Sequence, residues 1–533
     1  MGPLWLLFLS VLGVSDPPRV PWLPLEAQIP AHPQPQITAP APVRDTTAWT
    51  NVQLNTDGTT QIQNEEQVEI HPGNPLNAVA VWRDFRLGYR RVGIGVTHDG
   101  GLTWTDHLLE GSPYDWDSDP ALTVGADGTY YLVVLSLMGL YDSNGLFLFT
   151  SSDEGQTWQG PIPIVDSPTG TPFHDKEMIT CDVNPGSPYQ GFLYVTWTLF
   201  GADWTNPIYL SRSTDGGETW SAPVRVSQES SCQWSNPAVG PDGTLYVAWF
   251  SFDDWALKIR RSTNGGVNFG SEFTIQPIHH GWGEIQGGID VISYPAIDVD
   301  RSPGPFQGTI YVAYADSGEN GNLDILFTKC TDQLGMVWTP PIRINDDPPT
   351  SNADQFHPWL KVDENGGIHV IFYDRRNDPN NYAFDLYITH SYDGGQTWTP
   401  NERITWVSSE PIGRAGLIGE YIGLSVRHGR TLAVWTDTRN GNQDVFAGLP
   451  DSLVVVQEPS PPLAQQPSVR VLTPVFRHAL VVSSPRPVPL VVYNTVGRRV
   501  WQGVLPAGVH TLPTGSWPAG VYLLQNHRVV RVP

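Results

Sequence analysis

The stretch SRSTDGGETW (211–220) decides how this chain is read, because close copies of it recur along the sequence. They are THDGGLTW (97–104), SSDEGQTW (151–158), STDGGETW (213–220, inside the stretch just quoted), STNGGVNF (262–269), CTDQLGMVW (330–338) and SYDGGQTW (391–398). Six related turns at intervals of roughly fifty to seventy residues announce a repeat architecture. In each, the Asp carboxylate can accept backbone N–H bonds from its own turn, the glycines take a positive φ that other residues resist, and the Trp offers a large apolar surface. Asp99, Asp153, Asp215, Asn264, Asp332 and Asp393 are therefore read as structural, a hairpin device between the third and fourth strands of a unit. The changes at Asn264, Phe269 and Cys330 agree with positions kept for folding rather than for reaction.

The context of each turn is equally regular. The fourth unit runs NPAVGPDG, TLYVAWF, LKIRRSTNGGVNF and FTIQPI, short alternating runs rich in Val, Ile, Tyr and Trp that are broken by Gly, Asp and Pro. This is the pattern of a four-stranded antiparallel meander. Meanders copied radially make a β-propeller. Second strands count seven units: NAVAVWRDFR (77–86), TYYLVVLSL (129–137), FLYVTWTLF (192–200), TLYVAWF (244–250), TIYVAYAD (309–316), IHVIFYDRR (368–376) and TLAVWTDTR (431–439). The seventh has no fourth strand of its own. NVQLNTDGTTQIQNEEQ (51–67) parallels PIRINDDPPTSNADQ (341–355), so a strand from the start of the domain is expected to complete it and remove both open edges. The fold class is all-β, a seven-bladed propeller with six blades as the alternative, followed by a small C-terminal β-sandwich.

Composition sets outer limits. The net charge of −24 opposes a nucleic-acid or anionic-membrane partner, which requires a basic face. Cys181, Cys232 and Cys330 are too scattered for a disulfide framework or a zinc site and read as small buried residues or at most one bridge. The start, MGPLWLLFLSVLGVS (1–15), reads as a secretory signal, although no Lys or Arg precedes its apolar run. No other stretch has the length of a membrane span. Residues 16–48 and 452–467 are proline-rich linkers, which delimit a propeller over 49–451 and a tail over 468–533.

The repeated turns resemble the Asp-box, or BNR, repeats of the sialidase superfamily, over about three-quarters of the chain. The resemblance implies that the boxes are structural and lie away from the active site. It also implies three arginines that hold a sugar carboxylate, an Asp acid/base, and a Tyr nucleophile paired with a Glu. The early F/Y-R-I-P segment of those enzymes is absent here. The tail blocks VYNTVGRRVWQG, LPAGVHTLP and WPAGVYLLQ are similar to the C-terminal sorting domain of the bacterial type IX secretion system, with LTPVF in place of the usual P-N-P; a carbohydrate-binding sandwich is the alternative. That likeness implies type IX secretion machinery as a partner and a location outside the cell or on its outer surface.

Successive turns of a meander alternate faces, so a site at the mouth of the ring draws on the second-to-third turns and the blade-to-blade connections, opposite the boxes. Three second strands end in D-x-R: Asp84 with Arg86, Asp374 with Arg376, and Asp437 with Arg439. Period-two geometry puts the two charges of each on one side of the strand, which makes either a local ion pair or an arginine cluster facing a sugar carboxylate. In the second case Arg86, Arg376 and Arg439 bind substrate while Asp84 or Asp374 acts as acid or base. Tyr373 and the pair Glu420–Tyr421 supply residue types suited to a nucleophile and its partner. The connections add His174, Asp175, Lys176 and Glu177 from FHDKE, and His279, His280, Trp282 and Glu284 from HHGWGE; His174 and Trp282 are the substrate-binding candidates. Asp115, Asp117 and Asp119 offer oxygen ligands for calcium, without the spacing of the twelve-residue calcium loop. Neither a metal nor a cofactor is called for. Two functions follow: an exported sialidase-like glycoside hydrolase, or a non-catalytic surface propeller that binds a glycan or glycoprotein at the same mouth.

Overall fold

A computed structural model describes residues 49–450, apart from 204, 319–320 and 413–417, together with a discontinuous set between 470 and 531. The signal segment and both proline-rich linkers lie outside the described residues. The chain divides into two compact units, Met1–Val454 and Val455–Pro533.

In the first unit, seven four-stranded antiparallel sheets repeat the same order. Their innermost strands are Gln63–Ile70, Trp116–Val124, Phe173–Cys181, Cys232–Val239, Ala296–Val299, Gln355–Val362 and Gly423–Arg427. Seven blades, rather than six, are present. The seventh blade takes its outer strand from the start of the domain: Trp49–Gln53 pairs antiparallel with Asp444–Pro450, Trp49 opposite Pro450 and Gln53 opposite Phe446. The expected closure is thus seen, and it removes the edges that an open ring would expose.

Each blade is held by its second strand. Trp82, Trp197, Trp249 and Trp435 are completely buried there and fill the space between sheets. The boxes lock each blade onto its predecessor. A Cβ on the second box glycine would lie 2.8 Å from Leu432 at Gly101, 2.5 Å from Val79 at Gly155, 2.3 Å from Leu148 at Gly217 and 2.5 Å from Phe327 at Gly395, each neighbour belonging to the preceding blade. The turn recurs because at six of the seven interfaces it lets the backbone of one blade press on the side chains of the last.

The box carboxylates are spent inside their turns. Asp99 accepts from the backbone N–H of Leu102 (3.0 Å) and Thr103 (2.9 Å) and from the Thr103 hydroxyl (2.6 Å), while Trp104 Nε1–H donates to the Gly101 carbonyl (3.0 Å). Asp153, Asp215 and Asp393 repeat this pattern with Thr157, Thr219 and Thr397. Asn264 does so with Asn268 (3.2 Å), and Asp332 with Leu334 (2.8 Å) and Val337 (3.0 Å). Each box side chain thus accepts hydrogen bonds from its own turn. All three cysteines are buried and unpaired.

The second unit contains a three-stranded and a five-stranded sheet that share one apolar cluster, including Leu480, Leu490, Leu512, Trp517 and Tyr522. No helix among the described residues is long and apolar enough to cross a membrane.

Candidate active site at the axial mouth

Five of the seven inner strands carry the same irregularity near their first residues. The pairing register slips between Asn64 and Gln67, Ser118 and Ala121, Asp175 and Met178, Gln233 and Asn236, and Phe356 and Trp359. At the centre of each slip is a non-glycine residue with positive φ: Glu65 (60°), Asp119 (50°), Lys176 (54°), Trp234 (54°) and His357 (48°). The same position in the other two blades is Tyr294 and Tyr421. Bulges re-aim side chains, and residues held in sparsely populated conformations gather at functional sites. Here the bulges bring their side chains together around the axis, on the face opposite the boxes.

Lys176 is the hub. Its ammonium lies 2.9 Å from Asp119, 2.6 Å from Glu420 and 3.6 Å from Glu65. Arg83 pairs with Glu65 at 3.2 Å and donates to Asn64 Oδ1 at 2.9 Å. Trp234 Nε1–H donates to Glu420 at 3.4 Å, and the Tyr421 hydroxyl donates to the Pro120 carbonyl at 3.4 Å. Asp175 accepts from Gln233 Nε2 at 2.8 Å and remains half-buried. Glu177 is fully buried with no partner for either carboxylate oxygen. Below this level a cavity of about 120 Å³ runs along the axis, lined by residues of all seven inner strands, with Glu69, Asn236, Asp298 and Lys361 among them.

Burial works against every charge in the cluster, and the partners decide which carboxyls stay ionised. Burial raises Asp175 to about 7, with Asp119 and Glu420 adding to it and Lys176 opposing. Burial also raises Glu65 to about 7, against Arg83 and Lys176. Asp119, though buried, is held well below the ordinary carboxylate range by Lys176 and Arg83. Burial, Glu420 and Glu284 push Asp290 up to about 6. Carboxyls held protonated beside carboxylates held ionised are the division of labour that proton-transfer catalysis requires.

The residues anticipated from the sequence divide into two groups. Glu420 and Tyr421 lie in the cluster, as do Asp119, Asp175, Lys176 and Glu177 from the connecting stretches. The D-x-R strands do not converge on it. Asp84 is fully buried, accepting from Trp82 Nε1 (2.8 Å) and from Arg86 Nε (3.0 Å), while Arg86 also pairs with Asp106 (2.6 Å). Asp437 likewise accepts from Trp435 Nε1 (2.9 Å) and Arg439 (2.6 Å), and the Arg439 guanidinium lies over Phe446. Arg376 pairs with Asp374 (2.7 Å) and lies over Tyr387. Arg376 also pairs with Asp346, in the connection leading from blade five, so each arginine is already engaged by nearby carboxylates, as in the local ion-pair alternative. Tyr373 is buried and exchanges hydrogen bonds with the backbone of Thr436, donating to its carbonyl (3.2 Å) and accepting from its N–H (3.1 Å). Asp84, Asp374 and Tyr373 are thus buried and hydrogen-bonded within their blades and to adjoining strands, apart from the Lys176 cluster.

His174 likewise lies apart from the Lys176 cluster. It is buried against Trp197, with Nε2 at 3.1 Å from the Ser167 hydroxyl, and burial lowers it to about 4. Trp282 sits half-buried in an extra hairpin, Trp282–Ile285 with Ile289–Ile292, on the mouth side of the ring. Asp117 pairs with Arg91 and Asp119 with Lys176, so the calcium candidates are directed to different cations. Among the described residues no group of three or more His, Cys, Asp or Glu could hold a metal ion. Glu65, Arg83 and Trp234 are functional candidates that the sequence reading passed over. The signal was available in the first strands, where NEEQV, SDPAL, DKEMI and QWSNP share a polar interruption ahead of an alternating run.

Comparison with known proteins agrees with the repeat. The BNR/Asp-box repeat family matches residues 211–222. A xyloglucanase from a Paenibacillus species is 26% identical over 324 residues, covering 54% of this chain and 27% of that protein. The chain thus spans about a quarter of that relative's length. Among solved structures, the Hadza microbial sialidase Hz136 is 16% identical with a TM-score of 0.40, covering 69% of this chain and 73% of that chain. An α-L-arabinanase from Penicillium chrysogenum, complexed with arabinobiose, is 12% identical with a TM-score of 0.41, covering 78% and 100%. Sequence, strand order and turn geometry together make this chain an all-β, seven-bladed propeller carrying BNR/Asp-box repeats.

Proposed function

We propose that the propeller is a glycoside hydrolase directed at neutral glycans, working at the axial mouth. The observation that carries this reading is the convergence of Asp119, Glu420 and Glu65 on Lys176, beside Asp175 and Trp234, on the face away from the boxes. Asp175, held near its titration point and half-buried, is the proton donor to the leaving oxygen. Glu420 is the carboxylate that supports the developing positive charge at the sugar ring. Lys176 is a positioning residue that fixes the carboxylates, and Trp234 contributes an apolar face for the sugar.

Charge decides between neutral and acidic sugars. Glu65, Asp119, Asp175, Glu177 and Glu420 outnumber the described cations around them, and Arg83 and Lys176 are already paired. A sialic acid carboxylate would enter a site with excess negative potential where, among the described residues, Arg83 and Lys176 are already engaged, which disfavours the sialidase reading. The xyloglucanase relative lends support to a neutral substrate. The signal-like start and the sorting-like tail support export to the outer surface or beyond, with type IX machinery as the carrier.

The test is a substrate panel containing xyloglucan and a fluorogenic sialoside, assayed with the whole chain and with Asp175→Asn. Turnover of the neutral polymer that falls by roughly 10²–10⁴-fold in the variant supports the proposal. Turnover of the sialoside alone contradicts it. Retention on immobilised polymer without turnover of either substrate assigns the mouth to binding rather than catalysis.

A further inference from the structure

Trp255 has a combination of features that the cluster alone does not explain. It ends the second-to-third turn of blade four, on the mouth face, and its φ of 50° is one that a bulky aromatic residue rarely adopts. The residue is 40% exposed, and among the described residues its indole N–H has no acceptor. An indole recruited only to fill a core would be covered.

The ring is nevertheless rigidly held. Its backbone carbonyl accepts from Ile278 N–H at 2.8 Å, and its edge meets Phe250 with centroids 6.0 Å apart at 89°. Gly281 lies against it so closely that a Cβ there would be 2.2 Å from the indole. Phe250 in turn meets Trp234 at 6.3 Å and Phe252 at 4.9 Å, and Phe252 meets Trp234 at 5.7 Å. A continuous aromatic ladder therefore joins the exposed indole to the one whose N–H reaches Glu420. Trp255 leads into the third strand, two strands out from the one that carries Trp234, and lies past the last rung of its hairpin, where Ser251 pairs with Ala256.

We propose that Trp255 is a distal sugar platform, so that the substrate is an extended chain of neutral sugars lying across blade four from the axial mouth. The inference rests on the mouth being the glycan site. Strain, exposure and fixation occur together because a stacking surface must be presented in one orientation before the ligand arrives. The apolar ring face suits the C–H face of a neutral sugar, and the free indole N–H is available to a hydroxyl. A terminal monosaccharide seated over Glu420 would have no use for this ring.

The experiment compares the whole chain with Trp255→Ala and Trp255→Phe on xyloglucan and on a short chromogenic glycoside of the same sugars, together with retardation in a xyloglucan-containing native gel. The expected result is a rise of about tenfold in KM for the polymer in Trp255→Ala, beyond any change on the short glycoside, with much of it recovered in Trp255→Phe. Equal effects on both substrates, or a polymer KM within twofold of the wild-type value, would overturn the platform. Should the wild-type chain turn over neither substrate, the hydrolase reading fails by itself. The gel then decides the platform separately: retardation lost in Trp255→Ala supports it, and unchanged retardation overturns it.

Discussion

Replacing Lys176 by Met removes the hub of the axial cluster and leaves the packing of its aliphatic stem largely in place. The side chain is 11% exposed, and its ammonium pairs with Glu420 at 2.6 Å, Asp119 at 2.9 Å and Glu65 at 3.6 Å. Removing one member of a buried ion pair costs about 3–5 kcal/mol, because the remaining charge is left uncompensated. The loss at pH 8 should fall in that range. Its dependence on pH carries the sharper information. Without the ammonium, the folded-state pKa values of Glu65 and Asp175, already about 7 in the intact chain, rise further. A group whose folded pKa is raised contributes stability that is present at low pH and lost as pH rises through that value. The deficit of Lys176→Met is therefore largest at pH 8 and shrinks towards pH 5, where the carboxyls take up protons. Denaturant unfolding of both proteins at the two pH values measures it. A deficit below about 1 kcal/mol at pH 8, the size of an exposed pair, or one that grows towards pH 5, would refute the buried-hub reasoning.

Other expectations concern the ring and the reaction. Gly217→Ala, with φ at 94° and a Cβ 2.3 Å from Leu148, should destabilise the propeller by more than about 1 kcal/mol in thermal unfolding. Asp215 and Asp393 are lowered to about 2 by hydrogen bonds from Thr219 and Thr397 within their turns. Depressed carboxylates lose their contribution as pH falls through the folded value, so thermal stability should decline between about pH 4 and pH 2, and less steeply in Asp215→Asn. Because Asp175 must be protonated to donate, kcat/KM should fall on the alkaline side with an apparent pKa near 7. A profile flat from pH 6 to 9 removes Asp175 from that role.

The blades were legible because both devices that make them are local. The box is contiguous in sequence, and the second strands carry an apolar run that period-two alternation exposes. Closure was legible as well, since the stretch from 51 parallels the one from 341. The surroundings of the D-x-R strands were not legible, because sequence displays the charges and not what saturates them. In the fold, Trp82 and Trp435 each donate an indole N–H to the Asp while the Arg closes on the same carboxylate. The axial residues were harder to read for a related reason. Glu65, Lys176 and Trp234 occupy bulges, where one extra residue breaks the alternation that identifies a strand, and their neighbours come from distant blades. Glu420 meets Lys176 across the ring only once closure is complete.

The most direct measurement is a crystal structure of the Asp175→Asn chain with an oligosaccharide derived from xyloglucan. The account predicts sugar density at the axial mouth, against Trp234 with the glycosidic oxygen facing residue 175 and Glu420, and continuing towards Trp255. Sugar bound at the box turns, or a saturated crystal with an empty mouth, would contradict it.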